Sequence, residues 1–195
     1  MARPTLPQGS SVLVPLCGKT PDIVWLAAAG HAVTGVELAR TAVEAFFAEQ
    51  ELAYTEDVCG GLARFRATDR AITFYCGDYF SFDGSFGVEP FDVLYDRGAL
   101  VALPRDMRPR YVAHTNRLLR PDAPRLVITL EYDQSIVAGP PFAVMPDEIL
   151  GYWSDLERVG EKDDIDTCPP KFRAAGLEEI TEVYWLSSVT AGSPR

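Results

Sequence analysis

The stretch from Ser11 to Leu38, SVLVPLCGKTPDIVWLAAAGHAVTGVEL, reads as a buried strand, a loop, an amphipathic helix and a second strand that closes on a single acid, Glu37. Val12, Leu13 and Val14 make a short continuous apolar run, the pattern of a parallel strand covered on both faces, and Pro15 ends it. Thr20 fits an N-cap, Pro21 the first helical position, and Asp22 the positive end of the helix dipole, so a helix starts here. Ile23, Leu26 and Ala27 recur at helical spacing, and Gly30 supplies the stop. Ala32 to Val36 is then the second strand. Glu37 falls at its carboxyl edge, where doubly wound α/β folds bind ligands.

A carboxylate at that edge can accept one hydrogen bond from each of two neighbouring ribose hydroxyls, at roughly 1.5–3 kcal/mol per bond. The alternative for Glu37 is a solvated loop charge. Two phosphate motifs fail on spacing. Gly18-Lys19-Thr20 ends like a P-loop, but Leu13 stands where that loop needs its first glycine. The G-x-G-x-x-G fingerprint is absent, because Gly18 is the only glycine between Ser11 and Ala29. This removes the case for an NAD-dependent oxidoreductase. A nucleoside without phosphate fits better, and S-adenosylmethionine is the common cofactor of that description.

Composition narrows the partners. A net charge of −10 argues against nucleic acid, which needs clustered Lys and Arg, and in favour of small molecules. No apolar run approaches the ~20 residues of a membrane span, and Met1 to Ser10 lacks the core of a signal peptide, so the expectation is a cytoplasmic chain with no membrane partner. The four cysteines, Cys17, Cys59, Cys76 and Cys168, form no C-x-x-C pair. Neither a metal site nor a disulfide framework is expected.

Beyond Leu38 the alternation continues. Thr41 to Gln50 places Val43, Phe46 and Phe47 on one helical face, and Leu52 to Arg70 reads as a charged, glycine-containing connection with little regular structure. Ile72 to Tyr75, Phe91 to Tyr95 and Leu126 to Leu130 read as strands, with a helix over Tyr111 to Leu119. Strands alternating with helices imply an α/β protein with a parallel core. Asp147 to Trp153 is a further helix, and Leu156 to Lys162 and Glu182 to Leu186 are strands that pair antiparallel at the sheet edge if Gly176 closes a turn between them. At 195 residues the chain suits one domain, 11–187, between an N-terminal tail, 1–10, and a C-terminal tail, 188–195.

Three further segments could carry chemistry. Asp78, in Tyr75-Cys76-Gly77-Asp78-Tyr79-Phe80, could accept from an adenine amino group while a ring packs on the base; otherwise it caps a turn and Tyr79 and Phe80 are core. Arg97 could reach a cofactor carboxylate or an anionic acceptor, or simply pair with Asp96. Tyr132-Asp133 and Gly139-Pro140-Pro141-Phe142 follow the fifth strand and suit an acceptor wall, the alternatives being a rigid surface turn at Pro140-Pro141 and a core contact at Phe142. His31, at a helix-to-strand turn, and His114, within a helix, read as structural.

The strings VLVPLCGKTPDIVWLAAAGHAVTGVEL, AVEAFFAEQ, YCGDYF, YDRGALVALP, MRPRYV and LEYDQSIVAGPPF together resemble the thiopurine S-methyltransferase family in its bacterial branch, from Ser11 to about Leu186. The resemblance implies the class I methyltransferase fold: a single doubly wound, mostly parallel, seven-stranded sheet with one antiparallel strand. It implies methyl transfer from S-adenosylmethionine to a sulfur or related soft nucleophile, so that the partner is a small-molecule thiol or chalcogen acceptor. It assigns Leu16, Glu37, Asp78, Tyr79 and Arg97 to the cofactor, Arg97 also to the acceptor region, and makes Lys171 the nearest equivalent of a substrate-side arginine in mammalian relatives. Family members begin with a Trp-containing F-W-x-x-R-W segment that covers the cofactor. Met1 to Ser10 holds no such string, so the expectation is an open site, unless an upstream start, a neighbouring subunit or the substrate supplies the cover.

The expected chemistry is an in-line displacement in which the acceptor sulfur attacks the methyl carbon and S-adenosylhomocysteine leaves. Holding the reactants at near-attack distance supplies as much as ~7–11 kcal/mol of such a barrier. Arg97 is the candidate for favouring the anionic form of the acceptor. A protein that binds S-adenosylmethionine or a related nucleoside without catalysis is the competing reading. The sequence does not set the oligomeric state.

Overall fold

Residues 6–84 and 87–187 are described by the computed structural model, so Met1 to Thr5 of the expected N-terminal tail and the whole expected tail 188–195 lie outside the described residues. The fold divides into two compact units, Met1–Tyr95 with His114–Ala123, and Asp96–Ala113 with Pro124–Arg195.

In the first unit the strands are β1 (Ser11–Pro15), β2 (Ala32–Glu37), β3 (Tyr54–Cys59), β4 (Leu62–Ala67), β5 (Ile72–Cys76) and β6 (Val93–Asp96), ordered β3-β4-β5-β2-β1-β6. Parallel pairing joins β2 to β1 and β5, and β1 to β6. Helix α1 (Asp22–Ala28) follows β1, and α2 (Arg40–Glu49) follows β2. Gly30 ends the α1 segment at φ +94°, as the sequence leads one to expect. The expected N-cap Thr20 lies one residue outside the cap, where its hydroxyl donates to Asp22 Oδ2 at 3.0 Å. Val12, Val14, Ile23 and Leu26 pack with Phe46 and Phe47 of α2 in a buried cluster. The Phe46 and Phe74 rings are centred 4.7 Å apart, a contact worth about 0.5–1.5 kcal/mol beyond burial.

The connection expected from Leu52 to Arg70 is instead a β-hairpin. β3 and β4 pair antiparallel from Tyr54↔Ala67 to Cys59↔Leu62, and β4 pairs antiparallel with β5. Gly60 and Gly61 close the turn at φ +58° and +87°, the two left-handed positions that tight hairpins require. The expected strand from Phe91 begins at Val93, Phe91 forming only an isolated bridge to Leu119.

The second unit holds α3 (Ala99–Ala102), β7 (Arg125–Glu131), α5 (Pro146–Tyr152), β8 (Leu156–Asp163), α6 (Lys171–Ala174) and β9 (Thr181–Ser187), with strands ordered β7-β9-β8 and both pairings antiparallel. Helix α4 (Arg108–Leu118) contributes residues to both units. The expected antiparallel pairing of the last two strands is present, but Gly176 follows α6 at φ +94° rather than turning one strand directly into the other. The described residues therefore hold nine strands, with antiparallel pairs at β3/β4, β4/β5, β7/β9 and β8/β9, in place of a mostly parallel set of seven. Among the described residues no helix is long and apolar enough to cross a membrane.

Candidate active site

In the first unit, the loop after β1 and the end of β2 are built around one carboxylate. Leu16 leaves β1 at φ +45°, a left-handed conformation that costs a side-chain-bearing residue energy and is held only where the surroundings demand it. The turn brings the Gly18 N–H to Glu37 Oε2 at 2.8 Å, while the Ala39 N–H donates to Glu37 Oε1 at 2.8 Å. Each carboxylate oxygen offers about two lone-pair directions, so each keeps one for a guest hydroxyl. At Gly18 a side chain would enter open space, so the loop borders a vacant surface beside the acid. Gly35 is there for a different reason: a Cβ would stand 2.8 Å from Cys17 Sγ. Burial and the nearby Glu37 charge push the Cys17 thiol well up from its ordinary pKa. A helix-anchoring contact completes the loop, the Tyr95 hydroxyl donating to Asp22 Oδ2 at 2.9 Å.

The Gly77 N–H donates to the Glu37 backbone oxygen at 2.9 Å, which sets Asp78 next to the same edge. Asp78 Oδ1 accepts from the Phe80 N–H at 3.0 Å and so caps a short 3₁₀ turn, Tyr79–Ser81. Tyr79 is buried, with its hydroxyl 2.9 Å from Thr115 Oγ1 and its ring edge-on to His114. His114 spends both ring nitrogens: Arg117, which can only donate, lies 3.2 Å from Nδ1, so Nε2 carries the proton that goes to the Phe82 carbonyl at 2.9 Å. His31 is buried at the helix-to-strand turn.

The second unit begins at Asp96, fully buried, whose carboxylate accepts from the Ala99 and Leu100 N–H groups at 3.0 and 3.2 Å and from the Tyr111 hydroxyl at 2.7 Å. Burial pushes it up to about 6, although those donors pull the other way. Asp96 therefore turns inward and fixes α3, while the next residue, Arg97, is exposed.

Most of the acceptor residues named from the sequence converge. The Tyr132 hydroxyl donates to the Pro141 carbonyl at 2.7 Å, and its ring meets Phe172 edge-on. Lys171 Nζ donates to the Ala138 carbonyl at 2.9 Å. The Phe142 ring lies over Gly139, where any Cβ would come within 2.3 Å of it, and both the Gly139-Pro140 and Pro140-Pro141 bonds are cis. Asp133 is the exception: it turns to the Ser135 N–H and hydroxyl, which hold its carboxyl below the usual range.

Sequence reasoning missed the support beneath this loop. Arg108, only 2 % exposed, donates to the Leu103 and Ala143 carbonyls and to Glu148 Oε1, at 3.0, 3.1 and 2.9 Å, with Phe142 above its guanidinium. It joins segments up to 40 residues apart, so no local pattern announces it. A cavity of about 200 Å³ lies in the same unit, with an apolar wall that includes Val101, Ile128, Leu130 and Pro141. Arg97, Asp164, Cys168 and Glu182 supply its polar side. Burial and the Asp164 charge push the Cys168 thiol up to about 11.

The fold has solved counterparts. An S-adenosylmethionine-dependent methyltransferase from Methanosarcina mazei superposes with a TM-score of 0.63 at 14 % identity, covering 94 % of each chain. The architecture is thus that of the class I methyltransferases, and the Glu37 cradle suits their cofactor: a positioned carboxylate with spare acceptor capacity and no phosphate loop.

The sequence comparisons go further. The family model for Thiopurine S-methyltransferase matches residues 2–189. Thiopurine S-methyltransferase of Bordetella petrii is 45 % identical, over 93 % of this chain and 83 % of that one, and that of Pseudomonas putida 44 % identical, over 93 % and 84 %. The chain belongs to the thiopurine S-methyltransferase family and is an S-adenosylmethionine-dependent S-methyltransferase.

Proposed function

We propose that the chain methylates a small sulfur nucleophile, a thiol or related chalcogen compound of the cytoplasm, and that Glu37 receives the ribose of the cofactor. The observation that carries the reading is the Glu37 carboxylate, fixed by the Gly18 and Ala39 N–H groups with acceptor capacity left on both oxygens. Leu16 shapes the loop against the cofactor. Asp78 and Tyr79 stand on the adenine side, Asp78 through the acceptor capacity its cap leaves over and Tyr79 as the buried floor beneath it. Tyr132, Asp133, Pro140 and Phe142, on a loop that Arg108 holds from below, form the acceptor side together with Lys171 of α6.

When bound, S-adenosylmethionine supplies a methyl group on a sulfonium, an electrophile whose leaving group needs no acid. What the chain must do is hold the acceptor in line and favour its anionic form. Positioning is worth as much as ~7–11 kcal/mol. Arg97 is the exposed cation for the second task, since a neighbouring positive charge lowers a thiol's pKa. Asp96 is not a free base, because three donors already occupy it.

Calorimetry against S-adenosylmethionine and S-adenosylhomocysteine, followed by turnover with benzenethiol, tests the proposal. Glu37→Gln removes the charge from the ribose bonds and should weaken both nucleosides about 10- to 100-fold. Unchanged affinity in that variant would remove the ribose assignment. Tight binding of both nucleosides with no methylated thiol would return the non-catalytic reading.

A further inference from the structure

Three segments of the second unit meet at one buried cation. Arg108, at the start of α4, sends its Nε–H to the Leu103 carbonyl at the end of α3, at 3.0 Å. One of its terminal nitrogens donates both to the Ala143 carbonyl, at 3.1 Å, and to Glu148 Oε1 of α5, at 2.9 Å. These bonds leave one rigid plane in fixed directions, so a single guanidinium sets the spacing of α3, the acceptor-side loop and α5. Glu148, which also accepts from the Tyr152 hydroxyl at 2.9 Å, compensates the buried charge.

The segment from Pro141 to Val144 is held along its whole length. Its three N–H groups are all engaged: Phe142 by the Val101 carbonyl at 2.6 Å, Ala143 by Gln134 Oε1 at 2.8 Å and Val144 by the Leu130 carbonyl at 2.9 Å. The Tyr132 hydroxyl holds the Pro141 carbonyl at 2.7 Å. Arg108 reaches both the backbone of this segment and its half-buried ring, since its guanidinium carbon lies 5.9 Å from the Phe142 centroid, within reach of a cation–π contact.

We propose that Arg108 is a positioning residue for the methyl acceptor: by fixing the Ala143 carbonyl and the Phe142 ring it sets acceptor affinity, without touching acceptor or cofactor. The inference rests on the methyltransferase reading and on the acceptor side assigned above. A wall ordered before the acceptor arrives spends no binding free energy on its own ordering. Small displacements of such a wall weaken the fit even when they originate away from the reacting atoms. An arginine that served stability alone would change how much of the protein is folded. One that places a wall changes the affinity of each folded molecule.

The test is calorimetry at neutral pH of benzenethiol against the S-adenosylhomocysteine-loaded protein, and of S-adenosylhomocysteine against the unloaded protein. Arg108→Lys keeps the charge opposite Glu148 but loses the fork, and should weaken benzenethiol about tenfold while S-adenosylhomocysteine stays within about twofold. The dissociation constant decides, because a loss of folded protein lowers the binding stoichiometry and leaves that constant alone. Glu148→Gln still accepts from Arg108 without the charge, and serves if the lysine variant does not fold; it should weaken benzenethiol about threefold. Because Arg108 acts through Phe142, Arg108→Lys added to Phe142→Leu should weaken benzenethiol by no more than about a further twofold. An unchanged benzenethiol constant in Arg108→Lys or Glu148→Gln, equal weakening of both ligands, additive effects in the double variant, or no benzenethiol binding by the unaltered protein each overturns the assignment. Turnover is read separately: benzenethiol that binds but is not methylated removes the methyltransferase reading, whereas affinity alone judges Arg108.

Discussion

Glu37 and Asp96 both end parallel strands, and their surroundings set them to opposite uses. Glu37 is half-buried and keeps capacity for a guest; Asp96 is sealed and accepts from Ala99, Leu100 and Tyr111 within the fold. The sealing has a pH signature. Burial raises Asp96 to about 6, above its unfolded value of about 3.9, so the folded chain keeps a proton that the unfolded chain gives up. Stability therefore falls as pH rises from about 4 to about 6, by up to about 3 kcal/mol, and the loss is complete at neutral pH. Asp96→Asn can still accept from the α3 N–H groups but does not titrate. In urea unfolding the variant should gain on the parent between about pH 4 and pH 7. A constant difference across that range would mean that Asp96 ionises normally in the folded state.

At the scale of elements, the hairpin of β3 and β4 shows where patterning fails. β3 has no buried residue, and β4 buries only Leu62 and Phe65, so the apolar alternation of a half-buried strand is missing. Its charges are paired instead: Asp57 with Arg64 at 2.6 Å, and Glu56 with Arg40 at 2.7 Å. The readable signal was the Gly60-Gly61 turn rather than the flanking residues. At Gly61 a Cβ meets nothing within 4 Å, so any cost of a side chain there comes from the backbone at φ +87°. Gly61→Val should lose about 1–2 kcal/mol in thermal unfolding without changing affinity for S-adenosylmethionine. An unshifted melting temperature would show that the turn tolerates an ordinary residue. How the loop that carries Pro140, Pro141 and Phe142 is held was not legible, because Arg108 and Lys171 lie 35 and 33 residues from the Ala143 and Ala138 carbonyls they donate to.

For the whole molecule, what could be read was what is buried. The parallel core declares itself because β1, β2, β5 and β6 are runs of apolar residues, and Glu37 is legible because the end of β2 fixes it. β3 buries none of its residues and β4 only Leu62 and Phe65, and the number of strands depends on such peripheral pieces, so a count of seven fell short. The net charge of −10 acts at this scale as well. Raising the salt from about 10 mM to 150 mM shortens the Debye length from roughly 30 to 8 Å and hides that charge from an approaching anion. The kcat/KM for an anionic thiol should then rise about two- to fivefold, while that for a neutral thiol stays level. A fall with salt would mean that the local cation, Arg97, steers the encounter instead.

An enzyme that handles an alkylating reagent risks its own side chains, and the cysteine surroundings bear on that hazard. Cys17, Cys76 and Cys168 are each pushed above the ordinary thiol pKa by burial, with acidic neighbours adding to the effect at Cys17 and Cys168. At neutral pH all three stay protonated and poorly nucleophilic. The same desolvation that packs these three sulfurs away makes each of them a poor rival to a thiolate brought in by the guest.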